Sequence, residues 1–470
     1  MTGRRWGAAA VAIAAAPMLA PAVLHAQALR GDADVRFQSL EFERFTGDES
    51  VELVRATPVV ATLDLTAWGF GVENLSLHLR TRASDDLADR GAWPVVDPPL
   101  RLVEGYAEYA LPRMTVRAGR APLHTRLGYE SFDGARVDLR PRGTPLTLSA
   151  FGGWSLARAS TLPVTSPDVN PLGEFRPDER STLLGGILGI VQGPVRAGVV
   201  YRREVDPEAS KLASEFVGVS ASARLPRGLS LSGGGDYDLG FDEWGSIDGQ
   251  LLWSGLVSGR AMSAAAGIRR YRPRFDLWSI WGAFSPVPYT EATARASVTP
   301  VDGLRLRGSA ARFTYGDTDT SSPLVSFEDD GWRWTAGAGW SGFSDWTFDV
   351  DFGAEYGSGA SSTHVRASTA WRPREDVGAG AWVSRGTRPL EYRIDDAVVR
   401  AVGLDLEVEL GRGLRVDGAI GYYDEERNGG FERSFDHWHV SGGLRYRFGT
   451  GADRAQLHPA ILRIPERPKS

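Results

Sequence analysis

The side chains of this chain that could do chemistry are charged groups at alternate positions. The first set comprises Glu104, Glu108, Arg113, Arg117, Arg136, Asp138 and Arg140. Asp236 and Asp238 follow, then Arg305 and Arg307, then Asp349, Asp351 and Glu355. Asp405, Glu407, Glu409, Arg415, Asp417, His437, His439, Arg445 and Arg447 complete the series. Within each group the spacing is two or four, so in an extended chain the charges share one face. Charged faces inside a closed wall select and orient solutes in a pore. A solvated wall held together by cross-strand ion pairs is the plainer reading of the same residues. Both signs occur, so no preference for anions or cations follows.

Other chemistries fit less well. His437 and His439 could be half of a metal site, but no third ligand stands near them in the sequence. Ser441 shares their face, which raises the possibility of an outer-membrane hydrolase. A general base must lie within hydrogen-bond reach of its nucleophile, and residues i and i+2 of one strand are too far apart to ensure that. The glycine-rich "GGGDYDLG" (233–240) keeps strand parity and is not a phosphate loop. No catalytic residue, metal or cofactor is assigned.

These groups need strands to position them, and the sequence supplies strands almost everywhere. In 346–356, Trp346, Phe348, Val350, Phe352, Ala354 and Tyr356 alternate with Thr347, Asp349, Asp351, Gly353 and Glu355. In 402–410, Val402, Leu404, Leu406, Val408 and Leu410 alternate with Gly403, Asp405, Glu407 and Glu409. Stretches 214–225, 228–239 and 435–448 repeat the pattern. These runs exceed the ~5–6 residues usual in soluble strands and match the ~9–11 tilted residues that cross a bilayer. Aromatics close the apolar faces, as at Trp346 and Tyr356 or at Trp438 and Tyr446. Short turns such as "LPRG" (225–228) and "LGRG" (410–413) alternate with longer polar segments at 157–180, 316–330 and 424–434. The pattern predicts an all-β, antiparallel up-and-down transmembrane barrel of about 22 strands over 29–448. The aromatic-rich 275–287 reads as a folded outer loop, and 157–180 as a solvated or inward-folded one.

Composition agrees. The chain has 470 residues, 56 glycines, no cysteine and a net charge of −6. Absence of cysteine excludes a disulfide framework, a thiolate metal site and a lipidated N-terminus. There is no basic excess to attract nucleic acid. Residues 1–28 show a basic start at Arg4 and Arg5, an apolar stretch and small residues at Ala26 and Ala28, the pattern of a cleaved secretory signal. The expected compartment is the bacterial outer membrane. Residues 449–470 contain Pro459, Pro465 and Pro468 and read as a periplasmic tail.

Two stretches carry a resemblance. "LRYRF" (444–448), with Leu444, Tyr446 and Phe448 on one face, resembles the signal read by the outer-membrane assembly machinery. In that signal the aromatic usually ends the chain, whereas here 22 residues follow. "VRAGRAPLHTRLGYESFDGARVDLR" (116–140), with Gly119-Arg120 followed by "FDGARV", resembles a hairpin of porin-like barrels of the alginate-export and phosphate-selective type. The resemblance implies a porin-like channel for passive diffusion of small hydrophilic solutes through a water-filled lumen. The alternative is an occluded barrel with a structural or ligand-binding role. Energy-coupled transporters have barrels of similar size but a plug domain ahead of them. Strands expected from near Asp34 leave no room for one. The expected partners are outer-membrane lipid, the assembly machinery and small solutes.

Overall fold

A computed structural model describes residues 28–45, 51–88, 100–156, 181–206, 211–272, 288–316, 330–357, 360–388, 397–411, 413–427 and 435–450. Twenty-three strand segments form one antiparallel sheet. In chain order they are β1 (Ala28–Phe45), β2 (Val51–Ala56), β3 (Pro58–Trp68), β4 (Leu75–Asp86), β5 (Leu100–Ala110), β6 (Met114–Thr125), β7 (Gly128–Leu139) and β8 (Leu146–Ser155). Then come β9 (Thr182–Gln192), β10 (Val195–Asp206), β11 (Lys211–Arg224), β12 (Leu229–Asp238), β13 (Glu243–Val257), β14 (Arg260–Tyr271), β15 (Tyr289–Val301) and β16 (Leu304–Tyr315). The last are β17 (Asp330–Trp340), β18 (Trp346–Gly357), β19 (Ala360–Arg374), β20 (Val377–Arg388), β21 (Ala397–Gly411), β22 (Leu414–Arg427) and β23 (Phe435–Thr450).

β2 and β3 are one barrel strand broken at Thr57. Both pair with β1 in unbroken register, Leu40 opposite Ala56 and Phe37 opposite Val59. Pro58 cannot donate a ladder bond, and the Thr57 amide donates instead to Asp86 Oδ1 at 2.8 Å. β1 also pairs with β23, from Leu29–Thr450 to Ser39–Val440, which closes the ring. The barrel therefore has 22 strands, the number expected from the sequence. β23 extends through Gly449 and Thr450, two residues past the aromatic at 448.

Closure follows from the chemistry of the two faces. An unpaired backbone amide in hydrocarbon costs several kcal/mol, so a membrane-crossing sheet must close on itself. The outward face is apolar: Val35, Leu188, Val219, Leu251, Val350, Leu404, Leu444 and Trp438 are exposed, the last at 58%. Aromatics flank the apolar band on both sides. At one border Trp346 stacks on Trp371 at 5.8 Å. At the other, Trp332 packs on Tyr356 at 4.7 Å and Tyr422 on Trp438 at 5.1 Å. Beyond that second border the outward positions become charged, as in the Arg400–Asp424 pair at 3.0 Å.

Tight turns join the strands at one end. Ser258 and Gly259 both have positive φ, 50° and 77°, the backbone that two-residue hairpins favour. The longer connections lie at the opposite end. Residues 157–180 and 275–287, expected to be loops, lie outside the described residues.

Candidate functional site

The lumen is not an empty cylinder. The β6–β7 hairpin has a two-residue tip, Arg126-Leu127, and that tip touches strands far around the wall. Arg126 Nη2 donates to Ser246 Oγ on β13 at 3.1 Å and pairs with Asp248 on the same strand. β13 is six strands beyond β7, roughly 30 Å along the wall at ~4.8 Å per strand. Only a segment folded into the lumen can make that contact.

The sequence explains where the hairpin leaves the wall. β6 pairs with β5 only as far as Arg120 opposite Gly105. Gly119, at φ +124°, lies opposite Gly134, which lies opposite Gly153. A β-carbon at Gly119 would come within 2.9 Å of the Tyr106 Cα, and one at Gly134 within 2.7 Å of the Gly153 Cα. Only glycine allows three strands to approach this closely at a bend. Arg120 satisfies a group the bend exposes. Its Nη1 donates to the Leu102 carbonyl at 2.7 Å, while Nε bonds Asp133 at 2.7 Å.

Beyond the bend the hairpin is held from both sides. Leu123 and Phe132 pack with Phe151 and Leu183 in a fully apolar cluster against β8 and β9. Glu130 pairs with Arg202 on β10, whose guanidinium lies 4.9 Å from the Phe216 ring centroid. Leu127 and Arg126 rest on Gly218, where a β-carbon would lie 3.0 Å from Leu127 Cδ2. The hairpin thus covers the inner wall from β8 to β13.

This changes the surroundings of several sequence-selected residues. Asp236 and Asp238 are on the inward face but buried, at 9% and 5% exposure. Asp236 accepts a hydrogen bond from Ser246, and Asp238 Oδ1 accepts from the Gly240 amide at 2.9 Å. They hold the wall and turn beneath the hairpin tip rather than facing open lumen. Arg113 and Arg140 sit in tight turns at the barrel rim, where the Arg140 amide bonds the Arg113 carbonyl at 2.8 Å.

The remaining selected residues share the inward face by register. Glu108 is 2% exposed and bonds Arg117 Nε at 2.5 Å. Arg117 faces Arg136, which is neutralised by Asp138 at 2.7 Å. Glu104 pairs with Arg80 at 3.5 Å. On β16 and β18, Arg307 bridges two carboxylates, with Nη1 to Asp349 and Nε to Asp351 both at 2.9 Å. Arg305 stands two residues along the same face. Glu355 lies 3.7 Å from Arg333. Glu407 pairs with Arg415, Glu409 lies opposite Arg415, and Asp417 lies opposite Glu407. His439 is opposite Gly421, and His437 packs on Tyr423 at 4.9 Å.

At the closing seam, Arg445 Nε donates to Asp32 at 2.8 Å, and Arg447 lies 3.4 Å from the same carboxylate. On the outward side Phe448 lies across Gly31, where even a β-carbon would clash with the ring. Next to the seam is a recess of about 770 Å³ lined by Arg30, Asp64, His78, Tyr106 and Arg117, among others. His78 stacks on Tyr106 at 4.6 Å there. Sequence parity missed three parts of this site: the inward hairpin, the recess and the inward-facing Trp382. A contact between Arg126 and Asp248 has no local signal, although the Gly119–Gly134 pair did mark the bend.

No protein-family model matches the chain, and no curated protein sequence does. Solved structures share its fold. The siderophore receptor PirA of Pseudomonas aeruginosa aligns over 89% of this chain and 80% of its own, at 12% identity and a TM-score of 0.53. A BenF-like porin of Pseudomonas fluorescens Pf-5 aligns over 90% and 99%, at 10% identity and a TM-score of 0.43. OccK3 of Pseudomonas aeruginosa aligns over 90% and 96%, at 12% identity and a TM-score of 0.40. At such identities the likeness is one of fold. The chain folds as a closed antiparallel barrel of the outer-membrane kind.

Proposed function

We propose that this barrel is a passive channel for small hydrophilic solutes. The observation that carries the reading is a closed 22-strand ring with a charged inner face, of which the inward hairpin covers one sector. A ring of this size has a backbone radius of roughly 20 Å. A two-stranded hairpin is only ~10 Å thick, so it narrows such a lumen without filling it. Solutes would pass along β14–β23 and β1–β5, where Asp349, Asp351, Asp405, Glu407, Arg415, Arg445 and Arg447 line the wall. Mixed signs there favour polar solutes of either charge.

In this reading, residues 1–28 are a secretory signal, the tight turns are periplasmic, and the residues after Thr450 are a periplasmic tail. The face of Leu444, Tyr446 and Phe448 serves the assembly machinery. No catalytic role is proposed, and the likenesses reported above are to porins and a receptor rather than to enzymes.

A liposome-swelling series tests the proposal. Purified, folded protein should admit small sugars and organic acids, with rates falling as solute size rises. Failure to swell with any solute, with folding confirmed by heat-modifiable gel mobility, would favour an occluded barrel. The Arg126–Asp248 clamp gives that second reading its one specific support.

A further inference from the structure

We propose that Trp382 forms a stacking site for a pyranose sugar on the lumen wall; this rests on the channel reading above. Trp382 faces inward, opposite Ser368 on β19 and Gly403 on β21. Among the described residues, Trp68 is the other inward-facing tryptophan, and it lies at the rim opposite Ala28. Trp382 is placed on a shelf of glycines. A β-carbon at Gly403 would lie 2.6 Å from its Nε1 and Cε2, and one at Gly421, a strand further, 3.9 Å from its Cζ2. The indole therefore reaches along the wall across β21 toward β22. The side chain is half-buried there.

The surrounding groups select the ligand class. The Arg366 guanidinium lies over the ring, its carbon 5.2 Å from the centroid, so a ligand on the indole meets it directly. The Asp405 carboxylate covers Gly380, the next inward position along β20; a β-carbon there would lie 2.8 Å from Asp405 Cγ. Among the described residues neither Arg366 nor Asp405 has an ion-pair partner. A donor, an acceptor and an aromatic face thus converge. The C–H face of a sugar ring packs on indole while its hydroxyls both donate and accept. A simple anion would use Arg366 alone, and an aromatic acid would meet the repulsion of Asp405.

Single-channel recording of the full chain in planar bilayers, with glucose oligosaccharides added, tests this. The wild type should show brief sugar-dependent blocks. Trp382→Ala should weaken apparent sugar affinity about ten-fold, the size of one aromatic stacking contact, with unchanged open-channel current. Trp382→Leu, which keeps apolar bulk, should behave like the alanine variant, whereas Trp68→Ala should block as wild type does. An open wild-type channel without sugar block, or undiminished wild-type block in the two Trp382 variants, overturns the site and leaves the channel reading standing. Block by benzoate but not by sugar also overturns it. A folded wild-type protein that never conducts overturns both readings.

Discussion

At the residue scale, the hairpin's position depends on a few atoms. Gly218 has no side chain because Leu127 and Arg126 occupy its space. Gly218→Leu should therefore displace the tip and raise single-channel conductance; unchanged conductance would mean the tip does not restrict flow. The Arg126 Cβ lies 3.2 Å from the place a β-carbon at 218 would take. That is a few tenths of an ångström short of the usual disulfide range of about 3.5–4.5 Å, a gap a small shift of the tip closes, and the chain has no native cysteine to interfere. The double variant Arg126→Cys/Gly218→Cys should thus form a reducible cross-link, visible as a mobility shift on unheated gels. Glu130 and Arg202 are both largely buried. Removing one partner of a buried pair costs about 3 kcal/mol. Glu130→Ala should make the hairpin accessible to protease added to intact proteoliposomes, while β-content by circular dichroism stays unchanged.

At the element scale, strands were legible in the sequence because each has two unlike faces. Trp346 to Tyr356 alternates so regularly that face and aromatic borders follow from parity alone. The same parity correctly puts Asp236 and Asp238 on the inward face. It could not show that they would be buried, because burial comes from a hairpin more than 100 residues earlier. β6 and β7 keep strand alternation throughout, so nothing periodic marks their turn into the lumen; the mark is the glycine pair Gly119 and Gly134. The break at Thr57 is different. Pro58 announces it, and register with β1 survives because Asp86 takes over the freed amide. The seam is an element-scale device too. Gly31→Val should place a side chain in the ring of Phe448 and reduce the folded, heat-modifiable fraction. An undiminished fraction would show that Phe448 does not fasten the seam.

At the scale of the whole molecule, strand count and closure were readable because hydrocarbon leaves a sheet no other choice. The lumen's shape was not, since it depends on contacts between strands that are neighbours neither in sequence nor in the sheet. β23 pairs through Thr450, so removing 451–470 should leave assembly and heat-modifiable mobility intact. In the channel reading, a fixed hairpin narrows, but does not close, a conducting barrel. Planar-bilayer recording of the wild type beside Gly218→Leu tests it most directly. Stepwise currents in the wild type and larger steps in the variant are the predicted result. Silence from folded wild-type protein, with steps appearing only in the variant, would contradict it and make the hairpin a plug.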